Sequence, residues 1–275
     1  MFNKRVLTAI IGIPTAIYII QYGQWLFAAT VAFLALVCWH ELYHMLRQQK
    51  IELAYYIGSV AILLLLGCAW IGNTEETIGV LFLTILVVLS KMIIGSRTFT
   101  VRQAAFTLFG FFYIGMTFSY LLWLRFIDEG RYFHTLWGNV SAGTVYIWLP
   151  FIGTWANDTF AFFVGSVLGK HKLCPAISPG KTVEGAVGGV VGSLLALTIS
   201  GRVFALPLEH SIVIGLLVGI FAPLGDLTES AIKRFCDVKD SGKALPGHGG
   251  ILDRFDSIMF AAPVVYYYVR ILLLS

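Results

Sequence analysis

The sequence predicts an all-α, polytopic helical membrane protein with about nine transmembrane helices, and three observations predict it. Hydrophobic residues make up 58% of the 275 and charged residues 12%, against about 25% charged in a soluble domain. Mean hydropathy is +0.82. Apolar stretches approaching the roughly 20 residues of a membrane-crossing helix recur almost end to end, without the short alternating segments of a transmembrane barrel. The expectation is one integral membrane domain over residues 1–275. Its helices in 1–142 would serve as scaffold, and those in 143–275 would carry the catalytic site.

The candidate spans lie at about 6–22, 24–40, 53–72, 77–94, 103–124, 143–166, 183–200, 211–232 and 257–274. Lys4 and Arg5 ahead of an apolar run resemble a signal-peptide start, but no small-residue cleavage site follows, so a retained first helix is expected. Pro14 removes one backbone hydrogen bond from that helix, a candidate kink. Gln21 to Gln24 joins the first two spans closely enough for a helical hairpin. Trp39, His40, Glu41 and His44 close the second span and read as interfacial anchors, with lipid-headgroup contact as the alternative. Cys38, Cys68, Cys174 and Cys236 show no metal-binding or disulfide spacing.

Lys and Arg set the orientation. Fifteen of the nineteen, from Lys4 and Arg5 through Arg47, Lys91, Lys170, Lys181 and Lys233 to Arg254, fall on one side of the nine-span alternation. Arg125, Arg131, Arg202 and Arg270 fall on the other. This predicts a cytoplasmic N-terminus, cytoplasmic polar loops and an external C-terminus. The formal charge of +4 calls for no nucleic-acid partner.

Polar residues inside apolar spans mark the chemistry. Asp158, beside Asn157 in the sixth span, is an acid at helix-centre depth, where a charge costs about 2.5–3.5 kcal/mol and usually faces the bundle interior. It shares a face with Phe162 and Gly165, and Gly165 with Gly169 makes a small-x-x-x-small pair for close helix approach. In the basic loop that follows, Ser178-Pro179 reads as a helix start, with Glu184 in the first turns. Gly180-Lys181-Thr182 resembles the tail of a phosphate loop, but Pro175 stands where that motif needs glycine. In the eighth span Pro223 and Gly225 are candidate helix breakers beside Asp226. From Asp226, residues Glu229, Ser230, Lys233 and Arg234 recur on one helical face. Asp253 and Asp256 open the last span three residues apart, after a glycine-rich turn around His248. Converging carboxylates favour a hard cation, Mg²⁺ rather than zinc.

The stretch Ser230–Asp256, SAIKRFCDVKDSGKALPGHGGILDRFD, resembles the signature of the phosphatidate cytidylyltransferase (CDP-diacylglycerol synthase) family at all 27 positions. Ser230, Ile232, Lys233, Arg234, Lys239, Asp240, Gly242, Leu245, Pro246, His248, Gly249, Gly250, Ile251, Asp253, Arg254, Phe255 and Asp256 fill it. Ser178-Pro179, Lys181-Thr182, Glu184-Gly185 and Asp158 look like further family elements. The resemblance implies transfer of the cytidylyl group of CTP to phosphatidate, with Mg²⁺, a second, monovalent cation such as K⁺, and a homodimer. The compact chain, without long cytoplasmic tails, points to a bacterial inner membrane, with a eukaryotic internal membrane as the alternative.

On this reading Asp226, Asp253, Asp256 and Asp158 are the metal carboxylates. Lys233 and Arg234 work with Asp226, Asp253 and Asp256 at the catalytic centre. Ser178, Lys181, Thr182, Lys239, His248 and Arg254 hold substrate. The alternatives are a CTP-dependent polyprenol kinase, a cytidylyltransferase for another lipid phosphate, and an ion-coupled transporter using Asp158, Asp226 and proline-broken helices.

Overall fold

A computed structural model describes residues 2–95, 97–128, 130–135, 138–244 and 249–274, apart from the side chains at 2–9, 11 and 13. The helices are α1 Phe2–Tyr22, α2 Gln24–Gln48, α3 Tyr55–Ile71, α4 Thr74–Ile94, α5 Val101–Gly110, α6 Thr117–Phe126, α7 Ala142–Leu168, α8 Val183–Val203, α9 Leu208–Phe235 and α10 Leu252–Tyr268. A π-helical turn, Phe111–Met116, joins α5 to α6, and another, Val269–Leu273, ends α10. The described residues therefore form nine helical rods, close to the expected positions. Six are long and apolar enough to cross a membrane: α2, α4, Val101–Phe126, α8, α9 and Leu252–Leu273. The chain is an all-α integral membrane protein, with two short antiparallel hairpins. These are β1 Tyr132–Thr135 with β2 Gly138–Ser141, and β3 Lys172–Cys174 with β4 Ser178–Thr182.

The chain divides into two compact units, Met1–Trp123 with Phe235–Arg254, and Leu124–Arg234 with Phe255–Ser275. In the first, local chemistry sets the helix ends. Gly72, at φ 77°, ends α3 in the left-handed conformation that glycine tolerates best. Asn73 then caps α4 through Oδ1, which accepts from Glu76 N at 3.1 Å, and Glu75 and Glu76 meet the positive end of the helix dipole. On α4 the buried residues are Thr77, Thr84 and Val88, and the hydroxyls of both threonines are satisfied by carbonyls four residues back. Ile78, Phe82, Leu83 and Leu86 face outward, as a lipid-contacting surface requires.

The second span is longer and less peripheral than its hydropathy suggests. α2 continues eight residues past the expected end to Gln48, because Leu42, Met45 and Leu46 carry an inward apolar face beyond the membrane-length run. Trp39 is fully buried, its Nε1 donating to Tyr55 O at 3.0 Å, and it packs on Gly58 and Gly110. His40 and His44 are exposed, and their rings meet edge to face 4.3 Å apart. The interfacial anchoring expected of Trp39 and Glu41 fails, because both side chains are interior.

In the second unit α7 lies on a glycine face of α8. Gly188 faces the side chain of Val164, Gly189 that of Asn157 and Gly192 that of Phe160, each so closely that a methyl would overlap. The backbones approach too near for larger residues, the arrangement expected where apolar burial no longer drives helix association. Gly215 and Gly219 bring α9 against the α8 backbone at Leu194 and Val190 in the same way. Where the three helices meet, buried Asn157 donates from Nδ2 to Ser193 Oγ at 3.3 Å and Gly219 O at 3.1 Å, and Ser193 Oγ donates to Gly153 O at 2.8 Å. Buried membrane hydrogen bonds average about 0.6 kcal/mol each. Asn157→Leu is therefore expected to cost about 1–2 kcal/mol, read as a lowered melting temperature of the detergent-solubilised protein.

Candidate active site

α9 supplies one polar face of the site. The sequence expects Pro223 and Gly225 to break this helix, but it runs unbroken from Leu208 to Phe235. A single proline removes one helical hydrogen bond, and a membrane helix held by its neighbours tolerates that loss. Gly225 has a different task. A methyl there would stand 2.3 Å from the carbonyl oxygen of Asp256 and 3.1 Å from Ser257 Cα, so glycine lets the α10 backbone rest on α9 one residue before Asp226.

Along the same face, Ser230 Oγ donates to Asp226 Oδ1 at 3.3 Å, and Lys233 pairs with Glu229 one turn back. Glu229 is fully buried. The predicted stripe of Asp226, Glu229, Ser230 and Lys233 is therefore two neighbouring i,i+4 polar pairs on one side of α9.

The β3–β4 hairpin brings the basic loop to those pairs. The expected helix start at Ser178-Pro179 is overturned, since Ser178 opens a strand paired with β3 and α8 begins at Val183. Thr182 is the cap. Its Oγ1 accepts from Gly185 N at 3.1 Å, while Ser178 lies at the far end of β4, five residues before α8 begins. Glu184 stays in the first turn, as expected, and accepts from Lys170 N at 3.1 Å and from His171 N and Nδ1, the last at 2.6 Å. This ties the start of the hairpin to the helix. Arg234 Nε donates to Ile177 O at 3.2 Å and fixes its turn.

So held, Lys181 places Nζ 2.6 Å from Asp226 Oδ2. A cavity of about 490 Å³ opens here, lined by Asp158, Asn157, Phe162, Lys181, Thr182, Pro223 and Asp226. Asp158, Asp226 and Lys233 are also the charges that act on Asp256. The second unit thus gathers Asp158, Lys181, Asp226, Lys233 and Asp256 of the residues singled out in the sequence, with Ser178, Thr182 and Arg234 in or against the hairpin.

In the first unit the signature loop is organised by two carboxylates. Asp253 Oδ2 accepts from Gly250 N at 2.8 Å, Ser241 Oγ at 2.9 Å and Ser241 N at 3.0 Å. Glu41, only 5% exposed, accepts from Leu252 N at 2.9 Å, Ile251 N at 3.0 Å and Ser241 Oγ at 3.2 Å. Glu41 is the residue whose role sequence reasoning missed, reading it as an interfacial anchor. One signal for it was present, a single acid on the apolar Leu42–Met45–Leu46 side of α2. Lys239 and Arg254 are exposed, and His248 lies outside the described residues. Burial, and then the charge of Asp237, push the Cys236 thiol up to about 11, so it is no thiolate nucleophile at neutral pH.

Chemically, the second-unit cluster offers hard oxygen ligands, a cation and a cavity, without a nucleophile–base pair. Among the described residues no group of three or more His, Cys, Asp or Glu forms a ready metal cage. Mg²⁺ is ordinarily held by one or two carboxylates together with substrate phosphates, and Asp226 beside the cavity, with Asp158 and Asp256 acting nearby, fits that donor set.

The whole chain matches known proteins. Residues 3–272 match the model of the cytidylyltransferase family. The chain is 34% identical to the phosphatidate cytidylyltransferase of Bacillus subtilis (strain 168), over 96% of each chain. It is 36% identical to that of Staphylococcus saprophyticus, over 95% of this chain and 96% of the relative, and 36% identical to that of Synechocystis sp. (strain PCC 6803), over 99% and 98%. With its helical membrane fold and its polar cluster on α9, the chain is an integral membrane enzyme that belongs to the cytidylyltransferase family.

Proposed function

We propose that this protein transfers the cytidylyl group of CTP to phosphatidate, giving CDP-diacylglycerol and pyrophosphate. Full-length similarity to phosphatidate cytidylyltransferases supports the substrates. The observation that carries the site is Lys181 paired with Asp226 in the lining of a cavity that Asp158 also lines.

A phosphate monoester, with a second pKa of roughly 6, is already largely ionised at neutral pH. Its oxygen forms the new bond to the α-phosphorus in line with the leaving group. The bond to the bridging oxygen breaks, and pyrophosphate departs with that electron pair. No general base is required. The obstacle is repulsion between two anions, and charge neutralisation with positioning is what the site must supply.

Asp226 and Asp253, with Asp256 and Asp158 as ligands or close neighbours, would hold Mg²⁺, and a monovalent cation such as K⁺ belongs to the same reading. Bound there, Mg²⁺ neutralises charge on the phosphates and orients them. Lys233, Arg234, Lys239 and Arg254 would bind the CTP phosphates and the leaving pyrophosphate. Ser178, Lys181, Thr182 and His248 would hold the lipid phosphate or close over the nucleotide. The basic-residue asymmetry supports a cytoplasmic site and N-terminus in a bacterial inner membrane, where CTP is available. The homodimer implied by the resemblance completes the reading.

The test is purified protein in detergent with phosphatidate, CTP labelled at the α-phosphorus, and Mg²⁺. Label should enter the lipid with one pyrophosphate released per lipid labelled, and chelation of Mg²⁺ should abolish it. Label in soluble CDP, with phosphate gained by a lipid alcohol, would identify a kinase. No turnover of any lipid phosphate or alcohol would overturn the enzymatic assignment to this site.

A further inference from the structure

We infer that Glu41 is a positioning residue for cytidylyl transfer, holding Ser241, Gly242, Gly250 and the start of α10 in the geometry that the reaction uses. The inference rests on the proposed function for its kinetic consequence, and on geometry alone for the placement.

The first amides of a helix have no partner within it. At α10 those of Ile251 and Leu252 are not left to water or to a local Ser or Asp. Both are taken by Glu41, a residue of α2 separated from them by 210 and 211 positions. Ser241 Oγ reaches the same carboxylate at 3.2 Å. All three partners are donors, and the bonds divide between Oε1, which takes Ile251 N, and Oε2, which takes Leu252 N and Ser241 Oγ. Only a side chain with two acceptor oxygens on a stem of this length satisfies the set.

The loop closes on that carboxylate tightly. A methyl on Gly242 would stand 2.4 Å from Glu41 Oε1, and one on Gly250 would stand 2.6 Å from Oε2. Two small positions of the signature thus have a physical reason, which is backbone laid directly against Glu41. Asp253, in the first turn of α10, repeats the arrangement by accepting from Ser241 N and Gly250 N, and the single hydroxyl proton of Ser241 is divided between Asp253 Oδ2 at 2.9 Å and Glu41 Oε2 at 3.2 Å. Glu41 fixes the two residues before Asp253, and through Ser241 it fixes a donor to Asp253 itself. A carboxylate that must meet a cation or phosphate to within a fraction of an ångström depends on such support.

Glu41→Gln keeps the shape and removes one acceptor oxygen. In full-length protein the kcat for cytidylyl transfer should fall about 10–100-fold, the range for residues that orient a reacting group through another. KM for phosphatidate should change little, while the melting temperature should fall modestly, because the new NH2 group leaves one buried donor without an acceptor. Amide exchange at Ile251 and Leu252, read by mass spectrometry, should quicken at least about tenfold. Ser241→Ala, a milder change, should give a smaller fall in kcat with the same KM, and it serves if Glu41→Gln fails to fold. Unchanged exchange at both amides, or faster exchange with kcat intact, would overturn the proposal. A wild-type protein without turnover would instead sink the proposed function, and exchange would then decide the Glu41 assignment by itself.

Discussion

Asp226→Asn should leave a folded protein whose cytidylyl transfer is reduced at least about 100-fold, beyond the roughly 10–100-fold typical of groups that only support a metal ligand. The substitution conserves shape and a hydrogen-bond acceptor for Ser230 Oγ, which lies 3.3 Å from Oδ1. It removes the charge that faces Lys181 Nζ at 2.6 Å and lines the cavity beside Asp158. Both partners are partly exposed, about 30% on each side, so the pair adds little to stability, as surface-accessible ion pairs generally do. Activity and stability should separate cleanly. Incorporation of labelled cytidylate into lipid, measured beside a thermal melt of the same preparation, checks both. A variant that retains more than a tenth of wild-type turnover would remove Asp226 from the catalytic centre.

Gly225→Ala should be the most damaging small substitution near the site. The added methyl meets the backbone at Asp256 and Ser257, at 2.3 and 3.1 Å, and backbone cannot swing aside as a flexible side chain can. Overpacking of this kind costs about 1–3 kcal/mol. Relief requires α9 and α10 to part where each carries an acid of the site, Asp226 and Asp256. The expected outcome is a lower melting temperature together with a loss of turnover disproportionate to it. Gly67→Ala is the control, since nothing stands within 4 Å of a methyl there, and it should change neither.

The helices were legible because membrane spans are written locally, as runs of apolar residues of fixed length. The acidic and basic stripe of α9 was legible for the same reason, as a helical repeat within nine residues. What escaped depended on distant partners or on two signals that compete. Pro223 and Gly225 look like breakers in sequence, yet α9 absorbs the proline, and only the α10 backbone lying on Gly225 explains the glycine. Ser178-Pro179 has the composition of a helix start, yet pairing with Lys172–Cys174 draws it into a strand and leaves capping to Thr182. The ninth span begins at Leu252 rather than near 257 because Glu41 caps it, a partner no hydropathy window contains.

The distance between Glu41 and its partners also has a consequence for how the protein is made. α2 leaves the ribosome about 200 residues before Ser241, Ile251 and Leu252 exist. At roughly 5–20 residues per second, the wait lasts about 10–40 s. Throughout it, an acid destined for the interior stands at the end of a finished helix without the donors that will surround it. The early helices therefore cannot reach their final packing as synthesis proceeds, and the last stretch translated completes one of the first. A chain cut short before residue 241 leaves that acid without its final partners.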